Sequence, residues 1–446
     1  MPRSHLSYRQ ICTFWLPLAG TWLMMAVEAP YLAAIVARLA DPTENLAAFG
    51  VALSLAVIIE APVIMLMSAS TALVTDKPSY LALRRFTFSL SAILTLLQLV
   101  VVLPPVFDRL AVSLIGLPPD IASLAHQGLA LMLPWPVAIG YRRFLQGLLI
   151  RHNLTRRVAY GTVLRLVTMT AMAALGTQLP GLAGVHVATL ALAAGVIAEA
   201  IASRWMTREV VARLTTSSPT PGAPLDLAGI SSFYLPLALT TVVTLSVQPT
   251  ITFFLVHARY PVESLAVIPV VHGLTFLFRA LGLSYQEVGI TLFGDQWEHY
   301  RPVRNFGIGL ALTSTLALAA IAYTPLANVW FEQVSGLTPA LAAFAEGPTR
   351  ILAWMPLCSV WIAFQRSTLL HARETRAISW SSLAELLAAV GVLTVTIFSL
   401  SWVGATAAAA AMLVGRLAGN LWLIAPAGRL SRRARVESPL GQPALE

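Results

Sequence analysis

The chain has 446 residues, of which 57% are hydrophobic and 11% charged, with a mean hydropathy of +0.76 and a formal net charge of +9. That is too little polar surface to cover a water-soluble body of this length, so the soluble globular class is excluded and the chain belongs in lipid. The basic excess is spread over short loops between apolar stretches rather than gathered in one patch, which argues against nucleic-acid binding.

Taken along the chain, stretches apolar enough to cross roughly 30 Å of hydrocarbon as helices are expected near residues 11–37, 47–74, 85–107, 122–150, 157–178 and 183–206, then near 230–257, 263–292, 304–326, 344–371, 376–398 and 401–425. The alternating ten-residue strands of a membrane β-barrel are absent. The first stretch carries Trp15, Pro17 and Glu28 and no small-residue cleavage site, so it reads as a retained helix rather than a signal peptide. The polar, proline-rich run from Thr215 to Asp226 divides the spans evenly. The expected fold is therefore an all-α polytopic membrane protein of 12 transmembrane helices in two six-helix lobes, residues 1–214 and 229–428, joined by a linker at 215–228 and followed by a basic tail at 429–446.

Basic residues orient this arrangement. With a cytoplasmic N-terminus, 19 lysines and arginines fall in inside segments, against four outside: Arg38, Arg109, Arg259 and Arg350. Such asymmetry is the positive-inside pattern, and it places both termini in the cytoplasm of a multi-pass plasma-membrane protein, a bacterial inner membrane being the expected one. Arg429 to Arg435 read as an anchor of the same kind at the lipid surface.

An internal repeat underlies the two lobes. Phe14-Trp15-Leu16-Pro17-Leu18-Ala19 matches Phe233-Tyr234-Leu235-Pro236-Leu237-Ala238 at an offset of 219, which also carries Pro30 onto Pro249 and Leu46-Ala47 onto Leu265-Ala266. Residues Met132 to Arg156 align with Leu352 to Arg376 at offset 220, and Val187-Ala188-Thr189 with Gly404-Ala405-Thr406 at 217. Both halves start on the same membrane side, so the repeat is parallel, an arrangement suited to one half rocking against the other around a site near the bilayer midplane.

Charged residues inside the spans mark the candidate chemistry. Arg142, Arg143, Arg165, Arg279, Arg366 and Arg416 lie in spans, as do Glu28, Glu60, Glu199, Glu287 and Glu385. Each costs at least about 2.5 kcal/mol at a helix centre, so such groups face a partner or a watery cavity. The repeat maps Glu60 onto Arg279, Arg165 onto Glu385 and Glu199 onto Arg416, reversing the sign each time. Glu60, Arg143, Arg165, Glu199, Arg279, Glu385 and Arg416 are therefore the candidate substrate-binding set, expected to line a shared cleft and to close it in part by ion pairs between halves. Structural pairing that fixes helix register is the competing explanation. The arginines offer planar forks that match carboxylate or phosphate. Glu28, two residues before Pro30, and Glu60 are the candidates for a coupling proton or sodium ion. Near the cytoplasmic third of their spans, Arg142, Arg143 and Arg366 also admit a snorkelling explanation for at least one of them.

No other chemistry emerges. Cys12 and Cys358 lie in apolar segments without disulfide or zinc spacing, and His126, His186 and His272 read as packed rather than ligating. No metal site, resident cofactor, phosphate-cradling glycine loop or nucleophile elbow is present in the sequence, so the expectation is a non-enzymatic protein acting as a monomer, with membrane lipids and a small molecule as partners.

Phe14 to Ala19, Leu46-Ala47-Ala48-Phe49-Gly50-Val51, Gly184-Val185-His186 with Ala188-Thr189-Leu190, and Ser232 to Leu239 resemble the multidrug and toxic compound extrusion (MATE) transporters and their flippase relatives of the MOP superfamily, most of all the progressive ankylosis family. The resemblance spans most of residues 11–425. It implies the MATE-like two-lobe fold, alternating access by a rocker switch, and export of a small organic or phosphorylated anion such as citrate, a nucleotide or pyrophosphate. Cation-coupled export of amphipathic cations and flipping of a lipid-linked precursor are the alternatives within the same superfamily.

Overall fold

A computed structural model describes residues 6–152, 154–216, 225–294, 297–372, 374 and 376–437, the last seven without side chains. Most of the expected linker, the end of the basic tail and the positions of Arg3 and Arg373 lie outside these residues, as do the side chains of Arg432, Arg433 and Arg435. Every named element among the described residues is a helix. In lipid this is what backbone hydrogen bonding requires, since a helix satisfies its own N–H and C=O groups.

In the first half the long elements are α1 (Tyr8–Val36), α2 (Pro42–Leu73), α3 (Lys77–Val102), α4 (Pro119–Leu131), α5 (Trp135–Arg151), α6 (Thr155–Gln178), α7 (Gly184–Met206) and the short α8 (Arg208–Thr216). In the second half they are α9 (Leu227–Val256), α10 (Pro261–Leu292), α11 (Tyr300–Tyr323), α12 (Pro339–Leu352), α13 (Met355–His371), α14 (Arg376–Ser399) and α15 (Gly404–Glu437). Ten of these are long and apolar enough to cross a membrane. The expected fourth and tenth spans are instead each broken in two, at Met132–Pro134 and at Ala353–Trp354. Proline explains both breaks. Pro136 and Pro356 have no N–H for the carbonyls of Met132 and Leu352, and their rings crowd the turn before them. Apolar composition runs through the breaks, which is why hydropathy alone reads each as one span.

Two further segments repeat. After α3 and after α11 the chain forms a short helix that widens into a π-helical turn, Arg109–Ile115 in one half and Val329–Val334 in the other. Backbone conformation obeys the repeat as well: Asp41 and Tyr260, 219 residues apart, both have positive φ (49° and 55°), and each precedes the proline that opens α2 or α10.

The chain forms two compact units. One contains Ile35–His257 and Pro261–Ala266, and the other contains Met1–Ala34, Ala258–Tyr260 and Val267–Glu446. These cut across the lobes expected from the linker, because the first helix of each half belongs with the second helix of the other. In the unit holding α10 to α15, Trp15 of α1 donates its indole N–H to Ser284 Oγ at 2.8 Å and packs edge-on against Phe306. In the unit holding α2 to α7, Tyr234 of α9 donates its hydroxyl to the carbonyl of Pro62 and meets Phe86 at 5.0 Å. Trp15 and Tyr234 are repeat-related, so the matched Phe-aromatic-Leu-Pro motifs perform the same anchoring twice. Pro62, which has no N–H, begins a 3-10 turn at Ala61–Met65 inside α2, and that turn is where Tyr234 docks.

Helix packing also sets the register of the repeat. Gly195 of α7 faces Arg165 of α6 so closely that a Cβ there would lie 3.0 Å from the Arg165 carbonyl oxygen, and Gly415 of α15 faces Glu385 of α14 with 2.8 Å to that carbonyl oxygen. Gly161 lies against Glu199, as Ser381 lies against Gly419. All these pairs differ by 220 residues. Arg165 and Glu385 are thus equivalent as expected, but Glu199 corresponds to Gly419 and not to Arg416. The short apolar match at offset 217 misplaced α15 by three residues, close to one helical turn, a slip that leaves the apolar face nearly unchanged.

Substituting leucine for Gly415 is expected to lower the unfolding midpoint in detergent through the ~1–3 kcal/mol cost of overpacking. The same change at Gly391, which has nothing within 4 Å of a Cβ, is expected to leave the midpoint unchanged or raise it. Equal behaviour of the two variants in a thermal unfolding series would show that the α14–α15 approach is not tight.

Candidate functional site

Each compact unit gathers a cluster of charged side chains from helices that the expected spans had kept apart. In the first, Glu199 on α7 is fully buried, Arg142 on α5 is 4% exposed and Arg165 on α6 is 5% exposed. Arg142 donates through Nη1 to Glu199 Oε2, and Gln146, one turn further along α5, donates through Nε2 to Oε1 at 3.0 Å. Arg165 Nε lies 3.4 Å from Oε2. The i, i+4 spacing of Arg142 and Gln146 puts both on the face of α5 that meets α7, while Gly161, one turn before Arg165, leaves room for the carboxylate.

Glu60 belongs to the same unit. It closes the regular part of α2 just before the 3-10 turn and accepts the indole N–H of Trp135, the first residue of α5 after the break. The helix break thus has a local purpose: it delivers an indole donor to a buried carboxylate. Arg143 follows Arg142 and points to another side of α5. Its Nη1 is 3.8 Å from Met67 Sδ, its Nε has no hydrogen-bond partner, and it is within electrostatic range of Glu60, Glu199, Arg142 and Arg165.

The second unit carries Arg279 on α10, Arg366 on α13, Glu385 on α14 and Arg416 on α15. Arg416 Nη2 lies 2.9 Å from Glu385 Oε1, both side chains being 11–14% exposed. Arg366 reaches Ser382 Oγ at 3.4 Å, and Arg279 stacks on Phe276 with its guanidinium carbon 5.9 Å from the ring centre. Nε of Arg279, Arg366 and Arg416 is buried without a hydrogen bond. Arg279 lies in electrostatic range of Arg416, Glu385 and Arg366, and His272 in range of Arg279 and Arg416.

The seven residues singled out from the sequence thus divide four and three between the units. Inside each unit ion pairs are made: Glu199 with Arg142 and Arg165, and Glu385 with Arg416. A buried carboxylate is neutralised most cheaply by the nearest helix, and adjacent helices supply the partner. Snorkelling does not describe Arg142, whose guanidinium is held on a fully buried carboxylate. Sequence reasoning left Arg142 and Arg366 out of the site and did not raise Trp135 or Gln146. For Arg142 and Gln146 a signal exists, since an arginine and a glutamine four residues apart inside an apolar span mark a polar face. Of the coupling candidates, Glu28 lies on α1 in one unit and Glu60 on α2 in the other. Glu287, counted among the intramembrane glutamates, is exposed.

No family model matches the chain, and no curated protein matches it either. Solved structures do. An inward-facing multidrug resistance MATE family transporter of the MOP superfamily matches with a TM-score of 0.74 at 15% identity, over 92% of this chain and 96% of that chain. The chain has the MATE transporter fold. The lipid II flippase MurJ in an inward closed conformation matches at 0.67 with 13% identity, over 95% and 90%. A MATE in complex with MaD3S matches at 0.63 with 17% identity, over 94% and 96%. At these identities the likeness is one of fold, and it agrees with a multi-pass membrane protein.

Changing Glu199 to glutamine leaves two buried guanidiniums without a carboxylate and is expected to cost ~3–5 kcal/mol of stability, as for other broken buried pairs. Glu385→Gln, whose pair is 11–14% exposed, is expected to cost clearly less. Chemical unfolding of both variants in the same detergent ranks them, and the reverse order would contradict the burial argument.

Proposed function

We propose that the protein is a secondary active transporter that exports a small organic or phosphorylated anion by alternating access. The observation that carries this reading is the cluster of Arg279, Arg366 and Arg416 around the single carboxylate of Glu385, with three buried Nε donors unused. In an apolar bundle an arginine surplus of this kind demands a counter-charge, and a ligand with at least two negative charges is the partner that supplies it. Arg143, without a carboxylate in contact among the described residues, adds a further cation in the other unit. The MATE fold supports a transporter class, and the motif resemblance to the progressive ankylosis family supports citrate, nucleotides or pyrophosphate as the substrate class.

In this reading Arg279, Arg366 and Arg416 hold the anion within their unit, Arg143 offers a further cation in its own, and Arg142 and Arg165 position Glu199 and keep α5, α6 and α7 in register. Glu60 and Glu28 are the carboxylates through which H+ or Na+ couples. No step requires a chemical conversion of the substrate. The flippase alternative draws on the same arginines, since a lipid-linked pyrophosphate presents the same chemistry attached to a chain.

Thermal-shift measurements on the purified protein with citrate, pyrophosphate, nucleotides and cationic dyes test the reading. Saturating anion at about a hundred times its Kd is expected to add ~2.7 kcal/mol of stability, and Arg279→Ala is expected to remove most of that gain. Stabilisation by dyes alone would overturn the proposal. So would anion stabilisation that survives single substitution of each of Arg143, Arg279, Arg366 and Arg416. Solute flux into proteoliposomes, without conversion of the solute in detergent, separates a transporter from an enzyme.

A further inference from the structure

A hollow of about 330 Å³ lies on the unit formed by α10 to α15, between α11 and α13. Its floor is made by two small residues one turn apart, Gly307 and Ala311, with Leu357 and Phe364 of α13 opposite. Ile308 and Leu312 form the rim on α11, each 52% exposed, and Trp361 the rim on α13 at 38%. Tyr285 contributes only its ring, because its hydroxyl is donated to the Val303 carbonyl at 2.8 Å. Arg304 stands at one end as the single charged group of the lining. Its guanidinium bonds the neutral Asn305 side chain at 3.1 Å and meets no carboxylate among the described residues.

The repeat identifies the equivalent place in the first half. At offset 220 the ring pair Tyr300–Phe364 corresponds to Tyr80–Phe144, so α11 and α13 superpose in register on α3 and α5. The counterparts of Ile308 and Trp361 are then Phe88 and Tyr141, whose rings pack at 5.4 Å and fill the equivalent place.

We propose that the hollow is a binding site for an anionic phospholipid, with an acyl chain lying over Gly307 and Ala311 and the phosphate on Arg304. A small polar solute would lose its hydration in so apolar a lining and gain nothing back. An acyl chain loses nothing there, and it enters sideways from the surrounding bilayer past the exposed rim. Charge complementarity sets the headgroup. Arg304 and the exposed Arg301 belong to the basic loops expected on the cytoplasmic side, where anionic lipid is attracted by ~1 kcal/mol per basic residue, about fivefold in affinity. The site is separate from the arginine cluster around Glu385 and does not depend on the transported substrate.

Lipid bilayer nanodiscs of phosphatidylcholine, doped with phosphatidylglycerol or phosphatidylcholine carrying dibrominated acyl chains, test this directly. Bromine quenches tryptophan on contact, and the Trp361 component is the difference between the parent protein and Trp361→Phe. Brominated phosphatidylglycerol is expected to quench that component at about fivefold lower mole fraction than brominated phosphatidylcholine. Arg304→Gln is expected to abolish the headgroup preference. Ile308→Phe, which copies the filled arrangement of the first half, is expected to remove the preference along with the site itself. Equal quenching by the two lipids means bulk lipid contact only and overturns the proposal, as does a preference retained in Ile308→Phe. Should Arg304→Gln fail to fold, the Ile308→Phe result decides alone.

Discussion

Glu199 has no exposure to solvent, and much of the first unit is arranged around that fact. An ionised carboxylate in an apolar bundle is untenable without compensating donors, and here the donors come from two different helices. Arg142 and Gln146 of α5 take its two oxygens, Arg165 of α6 approaches one of them, and Gly161 makes the space. Three helices are thereby tied at one point. Sliding any of them by one turn would leave a buried charge unmatched, so the carboxylate acts as a register pin in a core whose apolar contacts alone are nearly indifferent to such a slip.

A second constraint acts at the start of each half. Helices in lipid gain little from burying one apolar side chain against another, so close packing and polar contacts decide which neighbours they keep. The Trp15 indole and the Tyr234 hydroxyl are such contacts. Each sits at the same place in a repeated motif, and each reaches the second helix of the opposite half. The linker in the sequence is therefore a covalent boundary and not a packing boundary. No hydropathy profile contains that distinction, because it depends on which helix an aromatic donor reaches.

How much was legible follows the same division between local and long-range causes. Ten of the spans, the parallel repeat and the set of intramembrane charges were readable, since each is written in composition or in matched residues. Arg165 with Glu385 was correctly paired as equivalent, as the glycines packed against each of them show. The Glu199 and Arg416 match rested on the short run Val187-Ala188-Thr189 with Gly404-Ala405-Thr406 and on Trp205 with Trp422, and a three-residue slip on a helix preserves apolarity well enough to deceive. The glycines would have corrected it: Gly195 and Gly415 each mark the close approach to the preceding helix, and their spacing is 220. The breaks before Pro136 and Pro356 were also written in the chain, but length and hydropathy spoke for continuity more loudly than one missing N–H.

The corrected register changes what the two halves mean for each other. Had Glu199 and Arg416 been equivalent, the repeat would be a symmetric exchange of signs. Instead Gly419 occupies the place of Glu199, with Ser381 where Gly161 stands, so the second half has no carboxylate at that point and no room made for one. Arg416 turns to Glu385 on the neighbouring helix, and Arg279 and Arg366 are left with an aromatic face and a hydroxyl as partners. The first half spends Glu199 on fixing its own helices. The second half keeps more arginine charge than its one carboxylate offsets, and under the anion-export reading a polyanion is what would complete it.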